Sequence, residues 1–236
     1  MNAPLPEKTL ADRALGLLRE DILAGRLAPD ARLKLNELQE RYDLGISPLR
    51  EALMRLSVEG HVVAEGQKGF RVAPISLADL ADLTRARKDI EQVALAAAIE
   101  RGGPDWEAAV MAAYHLLSRT PLPRNTGEQE AASTWEARHR AFHHALVSAC
   151  GSQWILRMHS QLVDHSERYR RVRLFHSALP RQLARDVQAE HKAILDAVLS
   201  RDARRATKLV CEHIDRTAEA VAGYWKQPQR RSASRT

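Results

Sequence analysis

The sequence predicts a mainly α-helical chain, an N-terminal winged helix-turn-helix followed by an antiparallel six-helix bundle. Three observations predict it. The run Gly45-Ile46-Ser47-Pro48-Leu49-Arg50-Glu51-Ala52-Leu53 has the residues that open a helix, and the tight turn Asp43-Leu44-Gly45 joins it to a shorter helical run. Gly66 and Gly69 stand between two short apolar runs, the mark of a hairpin. Beyond residue 75 the apolar residues keep helical spacing, interrupted at Gly102-Gly103-Pro104, Pro121 to Gly127, Gly151, Pro180 and Asp202.

Leu10, Ala14, Leu17, Leu18 and Ile22 give one apolar face to a helix over 8–24, ended by Gly25 and Pro29. Leu27 to Leu33 reads as a turn and a short extended piece. Asn36 is expected to cap a short helix through Tyr42, with Leu38 facing inward. Ser47 is expected to cap the next helix, and Pro48 suits its first position, where no backbone N–H is needed. That helix runs to about Glu59 and stops at Gly60. His61 to Glu65 and Phe70 to Ala73 flank Gly66-Gln67-Lys68-Gly69 as a two-stranded wing. Residues 1–74 form this first domain, and Pro74-Ile75 is the linker.

The second domain is expected over 75–225, with helices at 77–101, 105–118, 128–149, 152–177, 181–200 and 202–225. Ser76 and Asp79 resemble a capping box for the first of them. Residues 226–236 read as a disordered basic tail.

Composition narrows the function. The net charge is +6, yet residues 1–75 carry 11 Lys+Arg against 11 Asp+Glu. Any nucleic-acid footprint must therefore come from local placement of cations. Met1 to Pro6 lacks the apolar core of a secretory leader. The longest apolar run, Val93 to Ile99, is far short of the ~20 residues a membrane span needs. Cys150 and Cys211 make no disulfide framework, so a reducing cytoplasm is the expected compartment, without membrane partners.

Arg50 falls in the first turn of the second helix of the helix-turn-helix, the part of this motif that meets duplex DNA. Its guanidinium can fork onto a phosphate or onto guanine O6 and N7, or it can pair with an acid inside the domain. Ser47, Lys34, Asn36, Gln67, Lys68 and Arg71 are further candidate DNA contacts, with plain solvation as the alternative.

Several motifs taken together resemble the GntR family of bacterial transcription regulators. They are Ile22-Leu23-x-Gly25-x-Leu27-x-Pro29, Pro48-Leu49-Arg50-Glu51-Ala52-Leu53-x-x-Leu56-x-x-Glu59-Gly60 and Gly69-Phe70-x-Val72. Arg87-x-x-x-Glu91, Phe142-His143, Glu190-His191 and His213 resemble the all-helical FCD effector domain of its FadR-type branch. The resemblance spans about residues 8–222, and Gly-x-Ser-Pro-Leu-Arg-Glu-Ala-Leu with His-Arg-Ala-Phe-His is similar to a CsiR-like subgroup. It implies a repressor that binds a palindromic operator as a homodimer, its recognition helices one duplex turn (~34 Å) apart. Many relatives have a base-reading Arg where this chain has Ile46, which cannot donate a hydrogen bond, so their operator does not transfer.

His139 and His143 share one helix face, and His191 and His213 lie on later helices. The resemblance implies a divalent metal held by an Asp, a His four residues later and two further His. His143, His191 and His213 match, and His139 stands in the place of the Asp. Four imidazoles suit a transition metal, zinc first and nickel second, better than magnesium or calcium. Two other readings stay open: a metal-free, hydrogen-bonding carboxylate pocket, and a centre without His139.

The resemblance also places Arg87 against an effector. Tyr169 and Arg173 share a helix face and are the next candidates, followed by Arg168, while Arg170 and Arg171 are expected to be solvated or at a dimer surface. Arginines beside a cation imply a small mono- or dicarboxylate, with glutarate or 2-hydroxyglutarate suggested by the subgroup. No enzyme is expected. His139-Arg140-Ala141-Phe142-His143 lacks the Glu of a zinc protease helix, and neither a phosphate loop nor a nucleophile elbow occurs. A metal-dependent hydrolase and an effector-free architectural dimer are the competing classes.

Overall fold

The computed structural model describes residues 9–122, 128–176 and 185–226, without the side chains of residues 67, 129, 172–176 and 224–226. The chain divides into two compact units, Met1–Ser76 and Leu77–Thr236.

In the first unit, α1 (Leu10–Leu23) starts at a capping box. The Thr9 hydroxyl accepts from Asp12 N at 3.1 Å, and the Asp12 carboxylate accepts from Thr9 N at 3.2 Å. Then come β1 (Arg32–Leu33), α2 (Leu35–Tyr42), α3 (Ile46–Val58), β2 (Val62–Ala64), a 3₁₀ turn Gly66–Lys68 and β3 (Phe70–Val72). Leu18 of α1 and Leu49, Leu53 and Leu56 of α3 are fully buried against one another's cluster, so α1 and α3 form the floor on which α2 rests. Buried Asp21 joins α1 to α2, accepting from Tyr42 Oη at 2.6 Å and pairing with Arg26 Nε at 2.6 Å.

Three local expectations are corrected. Ser47 is not the cap of α3. Gly45 is, with extended backbone (φ −65°, ψ 159°) and its carbonyl accepting from Leu49 N at 3.4 Å. The helix therefore starts two residues earlier, and Pro48 still falls within the first turn, whose N–H groups have no helical partner. Asn36 is likewise inside α2, not its cap. β1 runs directly into that helix, and the Lys34 carbonyl accepts from Leu38 N at 3.1 Å as Leu35 turns onto the core. The wing has three strands, in the antiparallel order β1-β3-β2, because the extended piece before α2 pairs Arg32 with Arg71 and Leu33 with Phe70.

The second unit is helical among its described residues: α4 (Leu77–Arg101), α5 (Pro104–Ser118), α6 (Gln129–Val147), α7 (Gln153–His176), α8 (Val187–Leu199) and α9 (Ala203–Lys226). The mainly α class read from the sequence holds. α4 packs on α9, α7 and α6, and α5 packs on α6 and α8. Their core includes Leu95, Val110, Phe142, Leu146, Ile194, Val198 and Val210. Gly102 is required where α4 meets α5. A Cβ there would stand 2.2 Å from Cε3 of Trp106, whose indole N–H donates to the Ala145 carbonyl at 2.8 Å. The inward stripe of α4 is apolar at Leu80, Ala94, Leu95 and Ala98, but Arg87 and Glu91 interrupt it while equally buried.

Candidate metal centre and nucleic-acid face

Each histidine of the quartet occupies a core position. On α6 the inward stripe is Trp135, His139, Phe142, His143 and Leu146. On α8 it is His191, Ile194, Leu195 and Val198, and on α9 it is Val210, His213 and Ile214. The helical period that buries the leucines therefore buries the imidazoles. One ring nitrogen from each of His139, His143, His191 and His213 can be chosen so that all four lie within 4.8 Å of one another. The ring centroids are 4.5 to 5.8 Å apart.

The electrostatics fit a metal. Nδ1 of His139, both nitrogens of His143 and Nε2 of His191 are buried without a hydrogen-bond partner. A polar atom left so costs roughly 1–3 kcal/mol, and a cation would satisfy several at once. Burial pushes His143 down to about 4 and holds His139, His191 and His213 well below the usual histidine range. All four rings are then neutral with lone pairs to offer.

Two carboxylates stand behind these rings. Glu190 Oε2 lies 2.9 Å from His213 Nδ1, and Arg185 Nε donates to Glu190 Oε1 at 2.7 Å. Glu91 is fully buried, with Oε2 3.0 Å from His159 Nε2 and Oε1 3.5 Å from His143 Nδ1. Burial alone would raise the Glu91 pKa, but His159, His143 and Arg87 outweigh it and keep the group ionised.

Arg87 approaches from one turn earlier on α4. Its Nε is 3.7 Å from Glu91 Oε2, and its Nε and Nη2 have no hydrogen-bond partner. Burial lowers its pKa to about 10. Arg170, by contrast, is held by Glu136, with Nε 3.2 Å from both oxygens and Nη2 2.8 Å from Oε2. A cavity of about 20 Å³, room for one water, is lined by Thr84, Arg87, Ser166, Tyr169, Arg170 and Thr217 among others.

Tyr169 is buried and donates its hydroxyl to Asp79, and Arg168 is buried with its pKa pushed down to about 10 by that burial. The side chain of Arg173 lies outside the described residues. The solvated placement of Arg170 and Arg171 is corrected: both are buried, and Arg171 pairs with Glu167 at 2.7 Å. The physical reason is that α7 packs on α4, α6 and α9 and so has more than one inward face. Glu136, Arg185, Glu190 and His159 were not singled out from sequence as site residues. Glu136 shares the helix face of His139 and His143 and Glu190 adjoins His191, but nothing in their spacing marks them among 30 acids.

In the first unit Ile46, Arg50 and Met54 form an exposed stripe at four-residue intervals on α3, with Ser47 exposed beside them. Arg50 has no hydrogen bond or ion pair with a described residue. Between α3 and the wing runs a groove of about 680 Å³ whose ionisable lining residues, Arg32, Lys34, Arg50 and Lys68, are all cations. Lys34 also pairs with Glu37 at 2.7 Å, and Asn36 is exposed. Arg71 is engaged inside the unit, with Nε donating to Glu65 at 2.9 Å and Nη1 to the Asp30 carbonyl at 2.7 Å. The Gln67 side chain lies outside the described residues.

Comparison with known proteins decides the family. Residues 10–72 match the model of bacterial regulatory proteins of the gntR family, and residues 82–216 match the FCD domain. The chain belongs to the GntR family, with an FCD domain. This GntR-family chain is 40% identical over 197 residues to the HTH-type transcriptional repressor GlaR of Escherichia coli K12, covering 84% of this chain and 89% of that protein. It is 38% identical over 214 residues to the regulator BphR of Paraburkholderia xenovorans LB400, covering 91% and 86%. Its fold resembles that of E. coli McbR/YncC, with a TM-score of 0.74 at 22% identity over 92% of this chain and 99% of the other. The GntR-family chain is thus a DNA-binding transcription regulator and not an enzyme. Among the described residues no helix is long and apolar enough to cross a membrane.

Proposed function

We propose that this GntR-family regulator is a cytoplasmic repressor that binds a palindromic operator as a homodimer and leaves it when a small carboxylate binds beside a transition metal. The observation that carries this reading is the convergence of four buried, neutral imidazoles, three of which (His139, His143 and His191) have ring nitrogens without a partner. His139, His143, His191 and His213 hold the ion, zinc first and nickel second. The ion supplies a Lewis-acidic position at which a carboxylate can bind.

The other end of the acid meets the chain's own residues. Arg87 has two unengaged donor atoms and is the anchor, with Tyr169, Arg168 and Arg173 as further candidates around it. Glutarate and 2-hydroxyglutarate are the first acids to try. The cavity beside Arg87 has room for little more than one water, so an acid must displace α7 or α9 side chains to enter. That displacement is the differential interaction an effector needs to favour one state over another. Residues 1–74 carry the DNA contacts, with Arg50 central and Ser47, Lys34, Asn36, Gln67, Lys68 and Arg71 around it; residues 75–225 carry the effector site and 226–236 the tail.

Elemental analysis of natively purified protein beside the His143→Ala variant tests the reading. About one zinc or nickel per chain, lost in the variant, is expected. Operator binding is then titrated with the acids. Folded wild type without metal, or an operator complex indifferent to every carboxylate, sinks the proposal.

A further inference from the structure

We infer that His159 is a positioning residue of the histidine centre, acting through Glu91 on His143. The inference rests on the metal reading proposed above. His159 lies on α7, is buried, and is not among the four rings that converge. Its Nε2 is 3.0 Å from Glu91 Oε2. An ionised carboxylate can only accept, so the shared hydrogen sits on His159. That bond fixes the carboxylate with Oε1 toward His143, 3.5 Å from Nδ1.

A carboxylate against Nδ1 favours the tautomer with hydrogen on Nδ1. It leaves Nε2 of His143 as a bare lone pair, the state in which an imidazole binds a metal. Glu190 Oε2 lies 2.9 Å from His213 Nδ1 and is itself held by Arg185, whose Nη2 also stands 3.0 Å from that nitrogen. Two of the four rings are thus backed by a carboxylate, and each carboxylate is held by a donor outside the quartet.

Arg87 competes for Glu91. It lies one helical turn away on α4, and its 3.7 Å separation leaves the carboxylate to His159. Without His159, Glu91 is free to close onto Arg87. His143 then has no fixed tautomer, and the arginine is no longer open to a ligand. A single bond from α7 therefore sets both the metal ligand and the anion anchor.

The test uses full-length protein and zinc affinity measured by competition with a chromophoric chelator. His159→Leu removes the donor, and His159→Gln keeps an N–H that can reach Glu91. H144A, an exposed neighbour of His143, is the control. H159L is expected to bind zinc about 10- to 100-fold more weakly, and H159Q within about threefold of wild type. Cobalt-substituted protein should show an altered absorption band in H159L and the wild-type band in H159Q. Should H159L not fold by circular dichroism, H159M, of closer volume, takes its place. The inference is overturned if the donor-free variant binds zinc as wild type does, or if H159Q loses as much affinity as that variant. Wild type that binds no metal sinks the metal reading and this inference together, whereas tight wild type with an indifferent H159L sinks this one alone.

Discussion

Arg87 and Glu91 are buried one turn apart on α4, yet Arg87 Nε stands 3.7 Å from Glu91 Oε2 and the pair forms no hydrogen bond there. A buried guanidinium with two idle donor atoms is costly unless something else completes it. Arg170 in the same unit does engage its acid, with Nε and Nη2 both bonded to Glu136.

Arg87→Gln should therefore separate effector response from the rest. Losing a charge-assisted contact is worth about 1.5–3 kcal/mol, so the acid should bind on the order of 10- to 100-fold more weakly. Metal content and operator affinity without the acid should stay as in wild type. Calorimetry with the acid and an operator gel-shift series check this, and an unchanged response removes Arg87 from the pocket.

Arg170 and Glu136 should matter to stability rather than to specificity. Breaking a buried ion pair from one side strands the other charge, at a cost of about 3–5 kcal/mol. Glu136→Ala should lower the unfolding free energy from urea titration by that amount, and the double variant E136L/R170M should recover much of it. Equal losses in the single and double variants would show that the pair's charges are not the issue.

Acid should destabilise the metal-free protein. His143 falls from the ordinary 6.5 to about 4 on folding, and His139, His191 and His213 also fall. Between these limits the unfolded chain binds more protons than the folded one, so stability rises with pH. It should be full above about pH 6.5 and drop steadily toward pH 4, with more than one proton taken up per unfolding event. Urea midpoints of chelator-treated protein from pH 8 to 5 measure this, and a flat profile contradicts neutral buried rings. His139→Phe should flatten the slope.

On the DNA side Arg50 and Arg71 should behave differently. Arg50→Ala should leave the melting temperature alone, weaken operator binding by on the order of 10- to 100-fold and, if the contact is to a phosphate, lower the salt slope by about one. Arg71 braces the wing to Glu65 and the Asp30 carbonyl, so Arg71→Ala should lower the melting temperature as well as the affinity. Salt-series anisotropy beside thermal melts distinguishes them. A stable R71A protein with an Arg50-like binding defect would return Arg71 to the direct contacts.

The helices, the turn at Asp43 to Gly45 and the β2–β3 hairpin of the wing are legible in the sequence because they depend on local rules: apolar period, glycine at turns and the limits of proline; the third strand of the wing is not, because its pairing with Arg71 and Phe70 is long-range. The reading failed where a local rule has two answers. A hydroxyl or amide near a helix start can cap it or enter its first turn, and Ser47 and Asn36 do the latter because the preceding backbone is already extended. An Arg-rich helix can be solvated or packed on several sides, and α7 is packed, which buries Arg170 and Arg171.

By itself, then, the sequence determined the mainly α fold, the family through its motifs and the four histidines as candidates. Only the tertiary structure decided that their nitrogens meet within 4.8 Å, that Glu91 and Glu190 stand behind two of them, and that Arg87 is left half-engaged. The reason is range. Periodicity tells which face of one helix is buried, but distances between side chains on α4, α6, α7, α8 and α9 depend on how those helices pack, which no local pattern encodes.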